Sequence, residues 1–490
     1  RARVTQHFDG VFAEQKGSDG NGAAAFDALQ DTEATVAQLA ALGYEDAAEV
    51  LRRIGAIRSS ARYRQLPEPS RVKMEKLLPE MVRAAAQQTK PLIALTRMFD
   101  LLEAISRRES YLALLIEYPQ TLQRVAALAG WSPWALKYLQ QHPILLDELL
   151  DPRQFGREPV WPELARGLDT GLAQTDGDAE QQMDMLRHFK QAQLFHLIAQ
   201  DFAETLTVER LSDHLSALAD LVLERTLDLV WGTLPKRHCA APKFAVIGFG
   251  KLGGKELGYG SDLDIVFLYD DQAAEAPENY ARFAQRLNAW LNAFTGAGVL
   301  YQTDLRLRPD GASGLLVSPL EAFAEYQQKQ AWVWEHQALT RARFCAGDAA
   351  VGAAFETLRV QVLRQRRDLS ALRTEVLAMR EKMRGERRSP NNAFDLKADP
   401  GGLIDVEFAV QYLVLGHASD HEILTHNSGN IALLRAAAEL GLLPHSIALG
   451  AADAYRALRS MQHKSWLNES THARVPREAA APYATAVSAL

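Results

Sequence analysis

Asp262 and Asp264 stand two residues apart at the head of the apolar run Leu263–Tyr269, and this pair constrains the chain more than any other feature. The two-residue period of a strand sends both carboxylates to one face. Leu263, Ile265, Val266 and Phe267 mark that strand as one buried in a sheet. Two like charges side by side in such a place are costly unless a cation compensates them. A hard divalent ion answers the need, since Mg²⁺ binds one or two carboxylates together with substrate phosphates. An aspartate pair at an exposed strand end needs no ion, so the pair has to be judged with its neighbours.

Two neighbouring segments bear on that judgement. In Leu300-Tyr-Gln-Thr-Asp304-Leu-Arg306-Leu-Arg308-Pro309, strict alternation predicts a strand over Val299–Leu307 with Asp304, Arg306 and Arg308 on one face. An acid followed by two arginines suits a third metal ligand beside phosphate-binding cations, and equally a salt-bridged surface strand. The turn Gly248-Phe-Gly250-Lys251-Leu-Gly253-Gly254-Lys255 lets backbone N–H groups approach phosphate, with Lys251 or Lys255 adding charge. It is neither a Walker A sequence nor GxGxxG, and alone it reads equally as a tight structural turn.

The rest of the chain is organised around this block. Residues 1–200 read as nearly pure helix; Leu95, Met98, Phe99, Leu102 and Ile105, for example, fall on one face. Ser132-Pro133 predicts a helix start, and residues 156–178 predict a loop carrying one short helix. Phe244–Phe249 is a second β-favouring run, and Tyr280–Phe294 is helical. Ser318-Pro-Leu-Glu321 has the form of a capping box. From about residue 370 helices return, broken at Asp399–Gly402. The expected division is 1–200, a helical linker or regulatory region; 201–370, catalytic; and 371–490, a C-terminal helical bundle. The class is α+β, mostly α, with a mixed sheet and flanking helical domains.

At 490 residues the chain exceeds what one core organises. A net charge of −7 denies it a general basic field, which disfavours a nucleic-acid strand as substrate. Cys239 and Cys345 form no CxxC pair and fit a reducing cytoplasm. No run approaches the ~18 apolar residues of a membrane span. Because the first residue is Arg rather than Met, the chain is expected to be part of a longer protein.

A glycine-containing turn before a DxD, completed by a separate acid, is the pattern of DNA polymerase β-like nucleotidyltransferases. The strings GKLGGKELGYGSDLDIVFLYD, DLRLRPDGASGLLV, WEHQALTRARF and FDLKADPGGLIDVEF further resemble the glutamine synthetase adenylyltransferases, from roughly residue 90 to 465. That resemblance implies two similar domains in one protein, one removing AMP by phosphorolysis and one transferring it from ATP. Only one such block is present here, and its wording, with Gly260-Ser261 before the aspartates, resembles the transferring copy. Position by position, it implies metal ligation by Asp262, Asp264 and Asp304, with two Mg²⁺ expected. Lys251, Gly253, Gly254 and Ser261 would lie near the ATP phosphates, while Arg306 and Arg308 would meet phosphate or the protein substrate. Glutamine synthetase is the implied substrate, and the PII signalling protein and glutamine are the implied regulators.

The rival readings are an adenylyl-removing domain and a non-catalytic module binding PII or glutamine. Lys397, Asp405 and Glu407 either orient ATP or the substrate loop, or brace a helix entry. Ten basic residues between Arg359 and Arg388 read as a solvated helix face or a surface for an acidic partner. Trp332, Trp334 and His336 read as core and capping groups.

Overall fold

Apolar side chains three and four apart need a partner surface, and the helices of the chain are cut to supply it. The computed structural model describes residues 29, 33–150, 157–385, 392–426, 429–470 and 472–490. The chain divides into two compact units: residues 1–158 with 191–206 and 467–469, and residues 159–190 with 207–466 and 470–490.

All the regular structure among the first unit's described residues is helical. Its helices are α1 (Glu33–Ala41), α2 (Ala47–Ser59), the single turn α3 (Ala61–Arg64), α4 (Glu68–Ala86), α5 (Pro91–Ile105), α6 (Glu109–Glu117), α7 (Pro119–Trp131) and α8 (Pro133–Gln141). All five side chains expected on one face of α5 are buried, each contributing ~1.5–3 kcal/mol. Ser132 caps α8 as predicted, its Oγ accepting from Ala135 N–H at 3.0 Å, while Pro133 opens the helix.

In the second unit, α9 (Trp161–Ala173) is the helix expected within the 156–178 loop, and at 13 residues it is longer than expected. Leu168 and Leu172, four apart, bury on one side, and this outweighs the helix-weakening Gly167 and Gly171. Residues 151–156 lie outside the described part. Next come α10 (Ala179–Phe202), whose second half belongs to the first unit, and α11 (Val208–Thr233).

The sheet begins with β1 (Phe244–Gly248), buried at every residue, and β2 (Leu263–Tyr269), pairing antiparallel. Between them lies the one-turn helix α12 (Gly250–Gly253). Helix α13 (Ala276–Asn292) starts earlier than expected because Pro277 occupies its first turn. After the small pair β3 (Phe294–Thr295) and β4 (Gly298–Val299) come β5 (Thr303–Asp304) and β6 (Val317–Pro319). Both lie parallel to β2 on one of its sides, β5 beside its start and β6 beside its end. Beyond α14 (Leu320–Lys329) and α15 (Val333–Leu339), β7 (Arg343–Gly347) closes the far side of β1. The result is a mixed sheet in the order β5-β2-β1-β7, with β6 continuing beside β2.

The remaining elements are helices α16 (Ala349–Leu363), α17 (Leu369–Gly385), α18 (Leu403–His417), α19 (Asn430–Glu439), α20 (His445–Leu467) and α21 (Arg477–Ser488), with the strand pair β8 (Ala393–Asp395) and β9 (Arg474–Pro476). The expected class, α+β and mostly α, is what the chain adopts.

Three local expectations fail. The strand predicted over Val299–Leu307 survives only as Val299, at the end of β4, and the two residues of β5, and residues 306–314 coil into turns instead. The capping box at Ser318 does not form, because Ser318 is spent in β6 and α14 begins without a side-chain cap. Trp332 and Trp334 are 69% and 41% exposed rather than core, although Trp332 does take the N-cap of α15, its backbone N–H donating to Glu335 Oε2 at 2.9 Å. Only His336 is buried, its Nε2 bonded at 2.9 Å to the Gln327 carbonyl.

Candidate active site

The parallel pairing of β2 and β5 sets Asp264 directly opposite Asp304, in the same register. Partners in register on adjacent parallel strands project from the same face, so two distant acids are brought to one place. Asp262, just before β2, is exposed, whereas Asp264 and Asp304 are half-buried. Burial, with Asp304 and Asp262 adding repulsion, pushes the Asp264 carboxyl up to about 6.

The glycine turn is built around that carboxylate. Phe249 N–H donates to the Asp264 carbonyl at 2.8 Å, which delivers Gly250 over the side chain. Gly250 has φ +54°, and any Cβ there would collide with Asp264 Oδ2. Backbone conformation and space both demand glycine.

The other expected phosphate neighbours divide into two groups. Gly253 and Gly254 are buried against Arg341, where a Cβ on the first would strike its carbonyl oxygen and one on the second would stand 2.9 Å from its Nε. Lys251 and Ser261 instead share a cavity of about 190 Å³ with Tyr259, Gln462, His463 and Trp466. Burial, together with the nearby cation Lys397, lowers Lys251 to about 8. Ser261 Oγ accepts from Gly258 N–H at 3.0 Å, tightening the turn before Asp262.

The arginines do not share a face. Arg306 folds back on Asp304: its backbone N–H donates to Oδ1 at 2.9 Å and its Nε to Oδ2 at 2.9 Å. This holds the Asp304 carboxyl below its usual range. Arg308 spends its fork on the carbonyls of Leu305 (2.7 Å), Ala312 (2.9 Å) and Gly314 (3.2 Å), stapling the loop. Arg306→Ala is therefore expected to move the titration midpoint of Asp304 upward, which carboxyl-carbon NMR would read; an unmoved midpoint would refute the pairing.

Beneath the turn lies a buried ionic network that sequence reasoning missed. Arg341 Nη2 meets Glu256 at 2.6 Å and its Nη1 meets Glu407 at 2.9 Å. Glu256 also accepts from Asn430 N–H at 3.0 Å and Tyr455 O–H at 2.8 Å, and Arg459 Nη2 bonds the Glu256 carbonyl at 2.9 Å. Burial opposes charge on Glu256, yet Arg341 and Arg459 hold its carboxyl below the usual range. The signal was present, since Glu256 and Arg341 sit inside GGKELGYG and ALTRARF, but nothing in one dimension joins them.

Glu407 thus belongs to this network. Asp405 braces the preceding loop, accepting from Gly401 N–H at 2.6 Å and from Arg380. Lys397 is exposed. The basic run is only partly a solvated face: Arg359 is buried on the Thr425 carbonyl at 2.7 Å, and Arg367 bonds the Val362 carbonyl at 2.8 Å. Arg387 and Arg388 lie outside the described residues.

A family profile described as glutamate-ammonia ligase adenylyltransferase matches residues 122–358. Residues 122–358 are thus similar to that family. A second profile, GlnD PII-uridylyltransferase, matches residues 369–474. Three relatives carry the name bifunctional glutamine synthetase adenylyltransferase/adenylyl-removing enzyme. The one from Chromobacterium violaceum is 51% identical over 487 residues, covering 99% of this chain and 54% of the relative. That from Aromatoleum aromaticum is 53% identical over 481 residues, 98% and 51% respectively. That from Nitrosomonas eutropha is 48% identical over 501 residues, 100% and 54%. The chain thus spans about half the length of the curated relatives it matches. No helix among the described residues is long and apolar enough to cross a membrane.

Proposed function

We propose that this chain transfers AMP from ATP to a tyrosine hydroxyl of glutamine synthetase, with pyrophosphate leaving. The observation that carries the reading is the register pairing of Asp264 with Asp304 beneath the Gly250 turn. Both matched profiles bear names of nucleotidyl transfer, which supports it. The polymerase β-like character of the domain is part of the proposal.

The donor set suits Mg²⁺ by its oxygen chemistry: Asp264 and Asp304 face each other in register and the raised Asp264 carboxyl marks uncompensated negative charge, while the three carboxylates do not close to the spacing of a ligand trio without an ion. Asp262, Asp264 and Asp304 would hold the ions, two in number. When bound, magnesium supplies Lewis-acid stabilisation of the attacking and leaving oxygens.

The chain's own residues do the positioning. Lys251, in its cavity beside Ser261, presents a cation to a phosphate. Arg306 is 80% exposed and guards Asp304 until it can turn to an incoming phosphate or protein substrate. Arg308 keeps residues 305–314 in one shape while Arg306 moves. Gly253 and Gly254 seat the turn on Arg341, which fixes the height of Gly250 over Asp264. In this reading residues 201–370 carry the chemistry, 371–490 buttress it, and 1–200 receive the PII and glutamine signals.

The direction is tested by a paired assay. The chain is incubated with labelled ATP, Mg²⁺ and unmodified glutamine synthetase, and separately with phosphate and the AMP–tyrosine form. Labelled glutamine synthetase with little ADP release is expected. ADP release without transfer would assign the chain to the removing reaction.

A further inference from the structure

The loop between α11 and β1 carries His238 and Cys239 to Asp271, two residues beyond the end of β2. Their donor atoms all lie within 4.8 Å of one another, the one such His/Cys/Asp/Glu trio among the described residues. His238 Nε2 stands 2.9 Å from Asp271 Oδ2, and Cys239 Sγ stands 3.7 Å from the same nitrogen. Tetrahedral zinc, with bonds of ~2.0–2.3 Å, separates its ligands by roughly 3.3–3.8 Å, so small shifts complete the fit.

We propose that His238, Cys239 and Asp271 form a metal site for a zinc-type divalent ion, with water as the fourth ligand. The ligand chemistry selects the ion: thiolate and imidazole suit Zn²⁺ or Co²⁺, whereas Mg²⁺ needs oxygen. The surroundings orient the ligands as supporting groups do in built metal sites. Asn279 Nδ2 lies 3.1 Å from His238 Nδ1; with its amide turned about, its oxygen accepts the Nδ1 proton and leaves Nε2 free for the ion. Tyr280 O–H donates to Asp271 Oδ2 at 2.9 Å, and Ala273 N–H donates to Oδ1 at 3.1 Å. The His238 and Asp271 side chains are 6% and 7% exposed.

The site is separate from the candidate active site. Asp264 and Asp271 stand at opposite ends of β2, roughly 20 Å apart at ~3.3 Å per residue. The bound ion would pin the loop after α11 to the end of β2, and the Cys239 thiol would release its proton to solvent. The role is structural.

Titrating the metal-free chain with Co²⁺ under excess Mg²⁺ tests this. A thiolate-to-cobalt charge-transfer band with tetrahedral visible bands is expected, saturating at one equivalent and removed by Zn²⁺. Cys239→Ser should abolish the band, while Cys345→Ser and Asp264→Asn should keep it. His238→Gln should weaken cobalt binding about tenfold or more. Circular dichroism and melting in chelator verify that each variant folds as the parent does. Absence of the band in the parent, or its survival in folded Cys239→Ser, would overturn the proposal.

Discussion

Asp264→Asn is expected to abolish AMP transfer and at the same time to stabilise the metal-free protein near neutral pH. The carboxylate is nearly isosteric with the amide, so packing under Gly250 survives while a ligand charge is lost. The folded-state carboxyl is raised to about 6 by burial and by Asp304, against an ordinary value of 3.8. A raised acid contributes stability that is fully present below the unfolded value, and this contribution is lost as pH rises through about 6. Above that the wild type carries an unfavourable charge that asparagine lacks. At ~1.4 kcal/mol per pKa unit, discounted for partial exposure, the variant gains about 1–2 kcal/mol. Urea unfolding in chelator at pH 7.5 and 4.5 would read the gain at the first pH and its decline at the second. Substantial transfer by the folded variant would remove Asp264 from the catalytic set. Lost transfer with no gain at pH 7.5 would refute the account of its burial.

Arg341→Ala is expected to be the most destabilising single change in the second unit. It strips the guanidinium from two carboxylates, Glu256 at 2.6 Å and Glu407 at 2.9 Å, the first of them 5% exposed. Removing one partner of a buried pair leaves an uncompensated charge, at a cost of about 3–5 kcal/mol. Activity should fall as well, because Gly253 and Gly254 pack on Arg341 and its charge eases the ionisation of Asp264. Arg341→Lys keeps the charge but cannot bridge both acids with a planar fork, so an intermediate loss is expected. Denaturant midpoints of the two variants provide the measurement. A loss under about 1 kcal/mol for alanine would mean that Tyr455, Asn430 and Arg459 suffice for Glu256.

Local pattern alone determined a good deal. Alternation and apolar runs located β1 and β2, and the bounds of β2 match residue for residue, because past Asp264 the strand is buried on both faces and its apolar run is unbroken. The helical period placed the buried face of α5, and Ser132-Pro133 announced the start of α8 because capping chemistry is local. The DxD and its glycine turn stood out for the same reason, as a local pattern, and the fold seats Gly250 directly over Asp264.

Tertiary structure decided what depends on partners distant in the chain. Alternation over Val299–Leu307 promised a longer strand, but β2 offers β5 only two paired residues before β6 takes its place. Beyond that point the backbone has no neighbour to bond, so it coils, and Arg308 turns inward to satisfy the freed carbonyls. The pairing of Arg341 with Glu256, 85 residues earlier, and the meeting of His238 and Cys239 with Asp271 likewise exist only once the sheet has formed. A lone charge or thiol in a sequence is ordinary; burial beside a particular partner gives it a role, and the folded chain alone provides that.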